Sequence, residues 1–171
     1  MKSLVMLAFL FALPVAAQSK EDRKAALTGV TSIAIHETGV GPLGGGTAGS
    51  PYLLQAEKSF KGAGLHVGEL EKAMAAGTPI YNVHCSAMEA GDQVRVACES
   101  RFLRQVFLEA KENGKNIYAI TWTSPLYIAS VPRDALSDVE KLTQQLVDNF
   151  VNDWSEANPG VKPAGKPAKK K

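Results

Sequence analysis

The chain has 171 residues, 45% hydrophobic and 21% charged, an ordinary composition for a globular protein with one core. Its formal charge of +2 misleads, because Lys162, Lys166, Lys169, Lys170 and Lys171 all lie at the end. From Gln18 to Val161 there are 13 basic against 17 acidic side chains, a balance of about −4 that excludes the basic face nucleic acid would need.

Residues 1–17 have the three parts of a secretory signal peptide: Lys2, the apolar run Leu4 to Val15, and the small-residue site Val15-Ala16-Ala17. The run is short for a membrane span, no second one follows, and no Cys stands at the cleavage point to take a lipid. The expectation is an exported chain, periplasmic or secreted and without a transmembrane segment. It comprises a single domain over 18–161 and a Lys/Pro-rich tail over 162–171 that lacks the apolar residues to order itself. The tail reads as a solvated terminus, or else as a cationic arm for anionic envelope polymers or lipid headgroups.

Val30 to His36 is β-branched without a helical stripe and predicts a strand, followed by a Gly-rich loop from Gly39 to Gly49. Ser50-Pro51 opens a helix running to Gly62 or Gly64, with Leu53, Ala56 and Phe60 inward. Leu65 to Val67 reads as a short strand and Glu69 to Ala76 as a short helix stopped by Gly77.

Three strand-like runs follow, Pro79 to Met88, Gln93 to Ala110 and Ile117 to Ile128, separated by Gly91-Asp92 and Asn113-Gly114, both suited to two-residue hairpin turns. The middle run changes phase between about Ser100 and Arg104, where a bulge is expected. In the Asn-Gly register Phe107 and Gln105 lie opposite Trp122 and Tyr118, as packing. Ser137-Asp138-Val139-Glu140 is a capping box opening a helix whose apolar stripe runs from Val139 to Trp154, with Asn158-Pro159-Gly160 as its stop. The fold class is α/β (α+β): a two-layer sandwich of order β-α-β-α-β-β-β-α, with a mixed sheet, an antiparallel meander and a C-terminal amphipathic helix.

A two-residue loop at Gly91-Asp92 makes facing residues sum to 183, which sets Cys85 opposite Cys98 at a non-hydrogen-bonded pair, close enough for a disulfide. The same register puts Tyr81, Val83, Cys85 and Ala87 with Val96, Cys98 and Phe102 on the core face. Asn82, His84 and Ser86 fall on the solvent face with Ala97, Glu99 and Arg101, His84 and Glu99 forming a cross-strand pair.

Chemistry is sparse. Gly39-Val40-Gly41-Pro42-Leu43-Gly44 matches G-x-G-x-x-G, but Pro42 and Gly44-Gly45-Gly46 keep the segment out of helix where a dinucleotide site needs one, and the next strand, Leu65 to Val67, does not end in an acid to hold a ribose. No cofactor is expected. The histidines lack metal spacing, and His84 and Cys85, adjacent on a strand, point to opposite faces. No G-x-S-x-G occurs. Glu37, beside the Gly-rich loop where α/β folds often bind ligands, forms with Gly41, Gly44, Gly45 and Gly46 a candidate ligand or partner rim.

The order of elements, the Arg-Val-Ala-Cys strand, Ala119 to Trp122 and the closing Phe150 to Trp154 with Asn158-Pro159 resemble a group of uncharacterised exported bacterial proteins. The element order is also similar to the amino-terminal α/β domain of the TolB cell-envelope protein, which works by contacting partners. The resemblance implies a non-enzymatic envelope domain whose partner is another envelope protein or polymer. A small-molecule carrier is the alternative, and it requires an apolar pocket beneath Gly39 to Gly49; a hydrolase comes third. Neither ligand, pathway nor oligomeric state is legible.

Overall fold

The computed structural model describes residues 18–40, 51–108, 115–132 and 137–161. The expected signal peptide, most of the Gly-rich stretch, the expected Asn113-Gly114 turn and residues 162–171 therefore lie outside the described residues.

The elements are α1 (Lys20–Leu27), β1 (Ser32–Val40), α2 (Pro51–Ala63), β2 (His66–Gly68), α3 (Leu70–Ala76), β3 (Ile80–Ala90), β4 (Gln93–Leu108), β5 (Lys115–Thr123), β6 (Tyr127–Pro132) and α4 (Ser137–Ala157). They form one mixed six-stranded sheet in the order β2-β1-β3-β4-β5, with β6 also on β4. Strands β1, β2 and β3 are parallel, and β3 onward is an antiparallel meander. The crossovers β1-α2-β2 and β2-α3-β3 run in opposite directions across the sheet, so right-handedness puts α2 and α3 on opposite faces.

The expected class is borne out, with three differences in detail. First, α1 precedes the first strand. Ser19 caps it, its Oγ accepting from the Asp22 amide at 3.1 Å, and Leu27 is fully buried. Second, the last predicted strand is two pieces lying end to end along β4. Ser124 still pairs, its amide donating to the Ser100 carbonyl at 2.9 Å, while its hydroxyl accepts from the Ser100 amide at 2.8 Å. Pro125, with no N–H to give, then breaks the ladder before Tyr127 resumes it opposite Cys98. Third, β1 extends to Val40, which places Glu37 inside the strand rather than at its end.

The 183 register holds throughout β3 and β4, with Gly91 at φ 67° supplying the left-handed residue at the first turn position. The bulge falls at Phe102/Leu103, inside the expected window. Trp122 faces Phe102 and Tyr118 faces Gln105. Leu108 pairs with Lys115, four residues out of the register that a two-residue loop at Asn113-Gly114 would set, and the turn itself lies outside the described residues.

The main core lies between one sheet face and α1, α2 and α4. Tyr81, Val83, Cys85, Val96, Cys98 and Phe102 all point into it, as do Val139, Leu146, Val147, Phe150 and Trp154 of α4. Phe150 is the hub, its ring meeting those of Phe60, Tyr81, Phe102 and Trp122 at 4.8–5.4 Å between centroids. On the other face α3 covers one end, where the Tyr118 hydroxyl donates to the Thr78 carbonyl at 3.1 Å.

Helix α1 is held to α4 by charge. Lys20 and Lys24 reach Glu156 at 3.0 and 2.9 Å, and their ammonium groups pull its carboxyl down to about 2 from an ordinary value of 4.5. A lowered carboxyl gives stability that is present above its unfolded value and lost as pH falls through the folded one. Thermal melts should therefore show wild type losing stability faster than Glu156→Gln between about pH 5 and 2. The gap should shrink in high salt, because the pair is exposed to solvent. Parallel melting curves at low salt would refute the contribution.

Candidate functional site

Helices α2 and α4 both start at the carboxyl end of β1 and run back along the sheet, and between their first halves lies a cavity of about 690 Å³. Its floor is Ile35 and Glu37 of β1 with Val83 of β3; α2 contributes Tyr52, Leu53 and Ala56, and α4 contributes Glu140, Thr143, Gln144 and Val147 among others. Side-chain size explains the gap. Where α2 presents Ala56 and α4 presents Thr143 and Val147, little volume meets across the sheet. About a turn further on, Phe60 and Phe150 meet edge to face at 5.4 Å and close the layer. The volume falls in the range of small-molecule sites, and the position is the switch point, where crossovers leave the sheet in opposite directions.

The walls are mainly apolar with a few polar groups. Thr143 is satisfied within its own helix, its hydroxyl donating to the Glu140 carbonyl at 3.0 Å. Gln144 donates its amide to Asp148 at 2.6 Å, while its Oε1 is shielded from solvent and has no hydrogen-bond partner among the described residues. Glu37 Oε2 is in the same condition. Partial burial and the charges of Glu140 and Glu37 hold the Tyr52 phenol above its ordinary range, so it stays protonated. Among the described residues the cavity wall includes no Ser, Cys or His.

Of the residues singled out from the sequence, Glu37 does line this cavity. Gly41, Gly44, Gly45 and Gly46 lie outside the described residues. Cys85 and Cys98 are joined, with Cα atoms 4.2 Å apart, on the core face as expected. Cys85 follows Val83 along that face, so the bridge ties β3 to β4 beside the cavity floor.

His84 does sit opposite Glu99, but the expected pair is replaced. Its Nδ1 lies 3.0 Å from the Thr38 hydroxyl, while Glu99 pairs with Arg101. Trp122 is packing with one polar tether, its indole N–H donating to Asp153 at 2.9 Å. Among the described residues no three His, Cys, Asp or Glu side chains cluster to hold a metal ion, and no helix is long and apolar enough to cross a membrane.

Sequence reasoning missed Tyr52, Glu140 and Gln144. The one available signal was that Glu140 and Gln144, four apart on α4, flank the apolar stripe on one side.

No protein-family model matches the chain, and no curated protein matches it either. Among solved structures it is similar to PelC from Paraburkholderia phytofirmans, crystallised as a dodecamer, at 14% identity and a TM-score of 0.41 over 71% of this chain and 89% of that one. It is also similar to lipoprotein GNA1162 from Neisseria meningitidis, at 15% identity and a TM-score of 0.30 over 70% of this chain and 97% of that one. At these values neither carries a family or a function to this chain.

Proposed function

We propose that this chain is an exported, non-enzymatic domain of the cell envelope that binds a small molecule in the cavity between α2 and α4. The observation that carries the reading is the cavity itself, mainly apolar-walled and set at the switch point at the carboxyl end of β1. Export is supported by the signal-like residues 1–17 and by the Cys85 to Cys98 bridge, which an oxidising compartment maintains. Binding rather than hydrolysis is supported by a wall that is mainly apolar and, among the described residues, includes no Ser, Cys or His.

Nile red, a neutral dye that brightens in apolar surroundings, tests this. It should give a single saturable rise in fluorescence with the wild-type protein and little with Leu53→Trp, which fills the cavity from its half-buried α2 wall. No saturable signal, or the same signal in a folded Leu53→Trp, would overturn the reading.

A second reading, contact with another envelope protein or polymer, is favoured by the sheet face that α3 leaves open. There Met88 and Ile128 are 61% and 72% exposed, with Arg95 opposite Met88 and Arg101 further along β4 on the same face. Charge reversal at Arg95 and Arg101 should then abolish a crosslink formed in intact cells without altering Nile red binding.

A further inference from the structure

We infer that Gln18 is a modification site gated by the fold: as the first residue of the processed chain it closes to pyroglutamate when unfolded and stays open while β5 holds its side chain. The inference rests on the export reading, which makes Gln18 an amino terminus by cleavage after Val15-Ala16-Ala17.

Strand β5 ends the sheet and pairs on one side only, with β4. Its outer side presents backbone donors and acceptors that a further strand would take. At Thr121 and Thr123 a side chain takes them instead. Gln18 Nε2 donates to the Thr121 carbonyl at 2.6 Å, and Gln18 Oε1 accepts from the Thr123 amide at 3.3 Å. A carboxamide carries the same kinds of donor and acceptor as a peptide group, so it stands in for one peptide of an absent strand. Its orientation is fixed, because a flip would set oxygen against oxygen. Helix α1 delivers it there: Ser19 caps the helix, Arg23 is tied to Asp153 and Leu27 is buried, which places the residue just before the cap at the β5 edge.

An amino-terminal glutamine carries its own reaction. The neutral α-amino nitrogen attacks Cδ of the same residue, an N–Cδ lactam bond forms, and the Cδ–Nε2 bond breaks. Nε2 leaves as ammonia with the proton that the amine gives up, and nothing is oxidised or reduced. In the folded chain both terminal atoms of the carboxamide are engaged by β5, so ring closure has to turn the amide off the strand. Expulsion of ammonia also needs a proton on Nε2, whose neighbour is a carbonyl oxygen with none to give. The Thr123 amide does polarise the Cδ carbonyl, which favours attack, but its bond is the longer and weaker of the two. The clamp therefore protects the residue that forms it. A chain that closes before folding has lost the donor to Thr121 for good, and the charge of its terminus with it.

The test uses the full chain, exported by a bacterial host, purified from the periplasm and held at about pH 8, where much of the α-amino group is neutral. Intact mass then follows the loss of one ammonia. Folded wild type should cyclise about thirtyfold more slowly than the same protein in guanidinium chloride, the factor that two ordinary hydrogen bonds give. Thr123→Pro removes the amide donor to Gln18 at an edge position that tolerates proline, and when folded it should cyclise about fivefold faster than wild type. Equal rates for wild type with and without denaturant would overturn the inference, as would an unchanged or slower rate in folded Thr123→Pro. Should that variant not fold, the comparison within wild type decides. An exported chain that begins at another residue overturns the inference and leaves export standing, whereas a chain kept uncleaved in the cytoplasm is the failure of the export reading itself.

Discussion

Phe150→Ala is expected to cost about 4 kcal/mol, the largest single loss in the domain. The side chain has no exposed surface, and four aromatic rings from α2, β3, β4 and β5 surround it. Truncation removes their common contact. The hole cannot close, because Phe60, Tyr81, Phe102 and Trp122 are each pinned by a different element. A domain of this size is typically stable by about 5–15 kcal/mol, so the variant should stay folded but marginal. Its melting temperature should fall by roughly 12 °C. Phe150→Leu, which keeps most of the volume, should lose less than half as much in urea denaturation. A loss below about 1.5 kcal/mol for the alanine variant would mean that the layer collapses inward, against the account of a rigid aromatic hub.

The second large effect is expected at Asp153. One of its carboxylate oxygens accepts from the Trp122 indole at 2.9 Å and lies 3.2 Å from Arg23 Nε; the other accepts from Arg23 Nη2 at 3.4 Å. Three elements, α1, β5 and α4, therefore meet on one side chain. Asp153→Ala strands a buried indole N–H and leaves a mostly covered guanidinium without its counter-charge. The cost should be about 2–3 kcal/mol, below the value for a fully enclosed pair because Arg23 keeps 27% of its side chain exposed. Asp153→Asn keeps an acceptor for Trp122 and should cost about 1 kcal/mol. Hydrogen exchange adds a spatial check: α1 amides should lose protection in the alanine variant before those of β3. Unchanged protection in α1 would show that the helix is anchored by Leu27 alone.

How far the sequence could be read depends on how local each feature is. The hairpin was legible because Gly91 and Asp92 dictate a two-residue turn, and a turn of known length sets the register of everything beside it, including the disulfide. Helix α4 was legible because a capping box and a stripe of seven apolar residues agree. Helix α1 was not, since its eight residues contain one large apolar side chain and owe their order to Arg23 and the lysines meeting α4, more than a hundred residues away. The exchange of Glu99 for Thr38 as the partner of His84 required the parallel register of β1 on β3, which no turn dictates. The cavity was the least legible feature. It depends on Ala56 and Thr143 facing each other across α2 and α4, and nothing near either residue in the chain announces that meeting.

The bridge between Cys85 and Cys98 has a bearing on the timing of assembly. In the finished domain Cys98 has no accessible surface and Cys85 only 7%, with the core of α4 packed over their face of the sheet. Thiol-disulfide exchange proceeds by attack on a sulfur atom, so an oxidant has to reach what the folded protein conceals. The bond is therefore made on a bare hairpin, before the C-terminal helix settles. A chain that completes its fold first keeps two thiols shut away from any oxidant, and one that is oxidised in time keeps its bond equally shut away from reductants.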